Sequence, residues 1–181
     1  MKSTKPWSGS ERFATNGVSD NPVPRLYLDT VVLITAFEKG DGALQSLLLD
    51  GDSAELEFAT CELTLAELLV LHLREKNERL IEFYKGLFEG GDIIQPLPID
   101  QSMLYFAAVL RANNAWLKLP DAIHLSAALG CEATHFVSYD KKLERISTIS
   151  HSRWGVFKSA LMPQFINPRQ YDVSRFLDGE G

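Results

Sequence analysis

The sequence predicts an α/β layer fold built on a mostly parallel sheet, and three observations carry that expectation. Short β-prone apolar runs alternate with helical segments along most of the chain. The 181 residues are enough for one domain with a full hydrophobic core. With 45% hydrophobic and 23% charged residues, the bulk is globular rather than disordered. No internal repeat or low-complexity block competes with this reading.

Taken in order, residues 1–24 are rich in Ser, Gly, Asn and Pro, lack periodicity, and read as a flexible N-terminal leader outside the core. Structure is expected to begin at "RLYLD", a short apolar strand ending in Asp29. "TVVLITAFEKG" reads as a helix stopped by Gly40, and "ALQSLLL" as a second one ending at "DGD". "LEFATCE" is β-prone, and "LTLAELLVLHLREKNERLIEFYKGLF" reads as one or two helices. A short strand is expected in "DIIQPLPID", where proline confines it to a sheet edge. "QSMLYFAAVLRANN" has apolar residues at helical spacing, and "LKLPDAIHLSAALG" is a helix with almost no polar face. "THFVSYD" reads as a strand ending in Asp140, followed by the short helix "KKLERI". A last strand is expected in "ALMPQFI", and residues 166–181 read as a polar C-terminal tail. The domain proper is thus expected over residues 25–165.

A formal net charge of −6 argues against broad, passive attraction to nucleic acid or anionic membrane, although bound divalent cations would offset part of it. The two cysteines have no CxxC spacing and read as small buried apolar residues in a reducing compartment. No signal-peptide core is seen, and no apolar run approaches the ~18 residues of a membrane span. The expected setting is cytoplasmic, without a membrane partner.

Four isolated acids carry the chemistry. Asp29 and Asp140 end strands, and ligands of open parallel sheets bind outside the carboxyl ends of their strands. Asp121 opens a helix whose N-terminus lies along the same edge. Glu67 sits among Leu63, Thr64, Val70 and Leu71, where an ionised carboxylate is costly unless something positive meets it. Each acid also has a structural reading. Asp29 and Asp140 fit helix N-caps, Asp121 beside Pro120 fits a first helical turn, and Glu67 fits a pair with Lys or Arg. A divalent-metal site explains all four at once, because clustered carboxylates repel unless a cation is present. All-oxygen donors suit Mg²⁺ or Mn²⁺. His72, His124, His135 and His151 lack zinc spacing, and His124 in its apolar helix reads as structural.

These stretches, "LYLDTVVLI", "TLAELLVL", "LKLPDAIHLSAAL" and "THFVSYDKKLERI", together resemble the PIN-domain nucleases, and among them the VapC-type toxins of toxin–antitoxin pairs. The resemblance spans roughly residues 25–165. It implies a three-layer α/β/α sandwich around a short, mostly parallel sheet, and a ribonuclease dependent on one or two Mg²⁺ or Mn²⁺ ions. Asp29, Glu67, Asp121 and Asp140 map onto the family's acidic cluster as catalytic and metal-binding residues. Thr30 and Ser138 match small hydroxyl positions that would orient an acid or a water. In one departure, Val31 stands where many relatives carry a small polar residue. The chemistry implied is direct hydrolysis of an RNA phosphodiester by an activated water, leaving a 5′-phosphate.

Basic residues near the expected edge include Lys118, Arg111, Lys141, Lys142 and Arg145, which suit phosphate contacts or an ordinary solvated face. Trp116 and Tyr139 are candidates for base stacking, or simply for core and rim packing. The resemblance also implies an antitoxin laying a helix against residues 63–90 with a basic side chain in the acidic pocket, and a homodimer. A dehalogenase-like phosphotransferase needs a second aspartate where Val31 stands, and a receiver domain needs paired acids after the first strand. The more serious alternative is a PIN-like module that binds RNA or a protein partner without cutting.

Overall fold

The computed structural model of the chain describes residues 23–91, 93–153 and 156–179. The leader read at residues 1–24 therefore lies outside the described residues except for its last two. Within them, strands and helices alternate as β1 (Arg25–Leu28), α1 (Thr30–Phe37), α2 (Gly42–Asp50), β2 (Glu57–Cys61), α3 (Glu62–Glu75), α4 (Glu78–Gly90), β3 (Gln95–Leu97), α5 (Gln101–Asn113), α6 (Leu119–Gly130), β4 (His135–Val137), β5 (Thr148–Arg153), β6 (Val156–Leu161) and β7 (Gln164–Ile166). Five of the strands form one sheet in the order β3-β2-β1-β4-β7, and every pairing in it is parallel. β3 is an edge strand, as its proline requires.

Parallel strands must be covered on both faces, and successive side chains alternate between those faces. Leu26, Leu28, Phe58 and Val137 join a core with Val32 and Leu33 of α1, Leu44 and Leu47 of α2, Leu68 of α3 and Tyr84 of α4. Tyr27, Ala59 and Phe136 point the other way, into a core with Ala107 and Leu110 of α5 and most of α6. Helices α1–α4 therefore cover one face and α5–α6 the other, which is the three-layer α/β/α sandwich. The near-absence of a polar face on α6 has its reason here: Ala122 through Ala128 are all buried.

The long helical stretch is two helices. Lys76 adopts a left-handed conformation (φ 54°) that ends α3, and the Asn77 side chain accepts the Leu80 N–H at 3.3 Å to start α4. A half-buried polar node joins the layer: His72 Nε2 lies 3.1 Å from Glu38 Oε1, to which the Tyr84 hydroxyl donates at 2.8 Å. Burial, and then that contact with Glu38, pushes the Tyr84 phenol well above its ordinary range. Cys61 and Cys131 are buried free thiols. Among the described residues no helix is long and apolar enough to cross a membrane.

Three expectations need correction. "ALMPQFI" is interrupted at Pro163: β6 ends at Leu161, and the strand that joins the sheet is β7, beside β4. β6 instead pairs antiparallel with β5 in a separate two-stranded ribbon that the sequence reading missed. "KKLERI" is only a single 3-10 turn, Leu143–Arg145. Finally, residues 166–181 are not merely a polar tail. Ile166 completes β7, and a 3-10 turn over Val173–Phe176 buries Val173 and Phe176 against the α1–α4 core. Polar composition hid two apolar residues three apart, the spacing that places both on one side of such a turn.

Candidate active site

The chain runs outward from β1 to β2 and β3, then returns on the other side of β1 to build β4 and β7. The strand order therefore reverses between β1 and β4, where open parallel sheets form a crevice at their carboxyl ends. Asp29 follows β1 directly, and Ser138, Tyr139 and Asp140 follow β4.

Asp29 occupies the N-cap position of α1, yet its carboxylate makes no capping bond. It accepts instead from the Ser138 hydroxyl, at 2.5 Å. The fully buried Ser138 oxygen also accepts the Asp140 N–H at 3.1 Å, so one hydroxyl ties the first acid to the last. Asp140 uses Oδ1 to accept the Lys142 N–H at 2.9 Å, which turns the chain after β4. Asp121 stands in the first turn of α6 beside Pro120. Its carboxyl pKa is raised, first by burial and then by the negative charges of Asp29 and Asp140. Asp29 and Asp140, at two strand ends, are thus within electrostatic reach of Asp121 at the helix start.

Glu67 projects from α3 and is held from two sides. The Thr30 hydroxyl donates to its Oε2, and the Nε2 of His124 lies 3.2 Å from the same oxygen. Burial alone would raise the Glu67 pKa, but the bonds from His124 and Thr30 outweigh it and hold the group ionised. The alternative structural reading of Glu67 pairs it with Lys or Arg; the basic group it meets is a histidine. His124 is itself buried, with Nδ1 2.9 Å from the Tyr27 hydroxyl and 3.6 Å from Cys61 Sγ. Burial disfavours its charged form, yet the bonds to Cys61 and Glu67 prevail and its pKa is pushed up to about 10. Read from sequence as a structural histidine, His124 in fact braces an acid of the site. Its position three residues after Asp121, on the same side of α6, was the available signal.

The basic residues are arranged less tightly. Arg111 donates from Nε to the Leu117 carbonyl at 3.2 Å and so braces the α5–α6 loop. Lys118 is the N-cap residue of α6, and its charge tempers the raised pKa of Asp121. Lys141, Lys142 and Trp116 are exposed. Arg145 lines a polar cleft of about 250 Å³ with Asn113, Asn114 and Ser147.

Among the described residues no three His, Cys, Asp or Glu side chains converge into a preassembled metal cage. The donors nonetheless suit a hard divalent cation. They are carboxylate oxygens, and their mutual repulsion, registered at Asp121, is what a cation would relieve. Mg²⁺ commonly keeps several waters and takes only one or two carboxylates directly, so a tight protein cage is not required.

Comparison with known proteins bears on this arrangement. The sequence profile of the PIN domain matches residues 26–149. Among solved structures, the fold is similar to VapBC2 from Rickettsia felis bound to a DNA fragment from their promoter, at 16% identity and a TM-score of 0.58, over 79% of this chain and 98% of that one. It is also similar to a toxin–antitoxin complex from Klebsiella pneumoniae, at 22% identity and a TM-score of 0.51, over 65% and 88% of the two chains. No protein in a search of curated proteins matches.

Proposed function

Because the chain belongs to the PIN-domain family, we propose that it is a divalent-metal-dependent endoribonuclease, the VapC-type toxin of a toxin–antitoxin pair, working in the cytoplasm. The reading is supported by the placement of Asp29 and Asp140 at the carboxyl ends of β1 and β4 and of Asp121 at the start of α6, where burial and then the charges of Asp29 and Asp140 raise the Asp121 pKa. Asp29, Asp121 and Asp140 would hold one or two Mg²⁺ or Mn²⁺ ions, with Glu67 as a further ligand or a supporting acid. Such an ion, when bound, supplies charge stabilisation at a phosphoryl oxygen and a more acidic water.

The chain's own groups do the rest. Ser138 aims Asp29 and the Asp140 backbone, while Thr30 and His124 keep Glu67 ionised and pointed. No described side chain at the crevice is placed as a covalent nucleophile, which favours direct hydrolysis; the family resemblance implies a 5′-phosphate product. Lys118 and Arg111 are proposed to lie along the substrate path.

The partner antitoxin would cover the α3–α4 surface, where Val70, Leu71, Leu73 and Phe83 are large exposed hydrophobics. Both solved relatives named above are toxin–antitoxin assemblies, which supports this choice. The resemblance also supports a homodimer, which sedimentation of the isolated chain would test.

The decisive experiment exposes total RNA and a tRNA panel to the full-length protein with Mn²⁺ or Mg²⁺, with EDTA, and with the Asp121→Asn variant. Metal-dependent cuts at defined sites, lost in the variant, are expected. Cutting that survives EDTA, or proceeds in Asp121→Asn at the wild-type rate, overturns the assignment. No cutting together with no Mn²⁺ binding favours the non-cutting module.

A further inference from the structure

Beyond β7 the chain passes the same sheet edge once more, in the stretch "NPRQY", which lies outside the residues matched by the family profile. Asn167 is buried there, and both ends of its carboxamide are engaged: Nδ2 donates to the Tyr139 carbonyl at 3.4 Å, and Oδ1 accepts the Arg169 N–H at 3.0 Å. Its own carbonyl accepts the N–H groups of Gln170 and Tyr171, closing a tight turn. That turn sets the exposed Arg169 guanidinium over the Tyr139 ring, 5.3 Å from the centroid. Tyr139 is the residue between Ser138 and Asp140, and its ring rests against the α1–α4 core. Among the described residues Arg169 makes no ion pair.

We propose that Arg169, stacked on Tyr139 and buttressed by Asn167, is a backbone-phosphate subsite for single-stranded RNA flanking the acidic crevice. The proposal rests on the nuclease reading and extends it to how the strand is held. The crevice is lined by carboxylates that repel a polyanion, so a cation on the loop after β7, without an ion pair among the described residues, would offset that repulsion for a strand leaving the crevice. A stacked guanidinium is pre-organised, since the ring fixes its plane while its N–H edge stays free to meet phosphate oxygens. The Tyr139 backbone runs between Ser138 and Asp140 while its ring rests on the α1–α4 side, so the phosphate so held would lie outside the acidic crevice, further along the strand from the scissile one. A contact of this kind positions the strand and carries no sequence information.

The test uses the full-length chain carrying Asp121→Asn, so that the probe is not cut, in Mg²⁺. Fluorescence anisotropy would follow binding of short labelled oligouridylate and oligoadenylate over a series of salt concentrations. Adding Arg169→Gln should weaken both probes alike, by about two- to fivefold, as befits one exposed ion pair. The slope of log affinity against log salt should shrink by about 0.7, the loss of one phosphate contact on a single strand. Tyr139→Leu, which removes the ring but keeps an apolar body, should weaken binding in the same sequence-independent way. Unchanged affinity and slope in Arg169→Gln would overturn the subsite while leaving the nuclease reading intact. Loss confined to one oligonucleotide would also overturn it, since that is base recognition. A parent protein that binds neither RNA would overturn both readings together.

Discussion

Removing one hydroxyl at Ser138 should uncouple the acidic crevice without disturbing its carboxylates. Ser138→Ala deletes a 2.5 Å bond donated to Asp29 and the acceptor of the Asp140 N–H, both at a side chain with no solvent access. A hydrogen bond to a charged group contributes about 1.5–3 kcal/mol, and a buried donor left unsatisfied costs about 1–3 kcal/mol. These overlap, because Asp29 and Asp140 can each turn partly toward water at the crevice. A net loss of about 2 kcal/mol is therefore expected, or a fall in Tm of about 4–8 °C for a chain of this size. Groups that orient a metal's ligands are worth about 10–100-fold in affinity, so Mn²⁺ binding should weaken by that factor. Thermal unfolding in EDTA and calorimetric Mn²⁺ titration measure the two effects separately. If Tm falls but Mn²⁺ affinity stays within twofold, Ser138 is a fold element only, and the idea that it aims Asp29 is wrong.

Three further outcomes are expected. Asp121 has a raised pKa, so its ionised form opposes folding above that value and the cost is relieved as pH falls through it. Asp121→Asn should accordingly unfold at a higher temperature than wild type in EDTA at pH 7, with the advantage narrowing in acid; a lower midpoint at pH 7 would contradict the repulsion. His124 binds its proton more tightly folded than unfolded, so its contribution is complete below about 6.5 and is lost as pH climbs to about 10. The wild-type midpoint should decline across that window more steeply than that of His124→Gln, and parallel declines would refute the charged His124–Glu67 pair. Phe176→Ala should cost about 3–5 kcal/mol in urea unfolding, as for a buried aromatic; a loss under about 1 kcal/mol would mean the C-terminal turn is not docked.

The sheet was legible because its strands are short apolar runs separated by helical ones, and that pattern survives inspection one residue at a time. The acids were legible for a related reason: Asp29 and Asp140 stand where an apolar strand stops, and Asp121 interrupts an otherwise buried helix. What holds the acids was less visible. The bond between Ser138 and Asp29 joins residues far apart in the chain, and the pairing of His124 with Glu67 depends on how α6 and α3 face each other across the sheet edge. His124 in an apolar helix looks the same whether it packs or braces. Phe176 and Arg169 were overlooked because their neighbours in sequence are polar; their partners, α2, His135 and Tyr171 for Phe176 and the ring of Tyr139 for Arg169, come from elsewhere in the fold or across a turn. The β5–β6 ribbon escaped because a two-stranded pairing beside the main sheet leaves no alternation between strand and helix to detect.

The placement of β1 between β2 and β4 also has a consequence for the order in which the protein comes into being. β1 precedes β4 in the chain, and the hydroxyl that secures its aspartate arrives 109 residues later. Closing a loop of that length carries an entropy cost of about 4 kcal/mol beyond its constant part. A nascent chain can pair β1, β2 and β3 and dock α1–α4 while one edge of β1 is still open. During that interval Asp29 lacks Ser138, and Asp140 does not yet exist. A chain interrupted before β4 would lack both the Ser138 hydroxyl and Asp140, so the crevice is complete only once that strand and the turn after it are made.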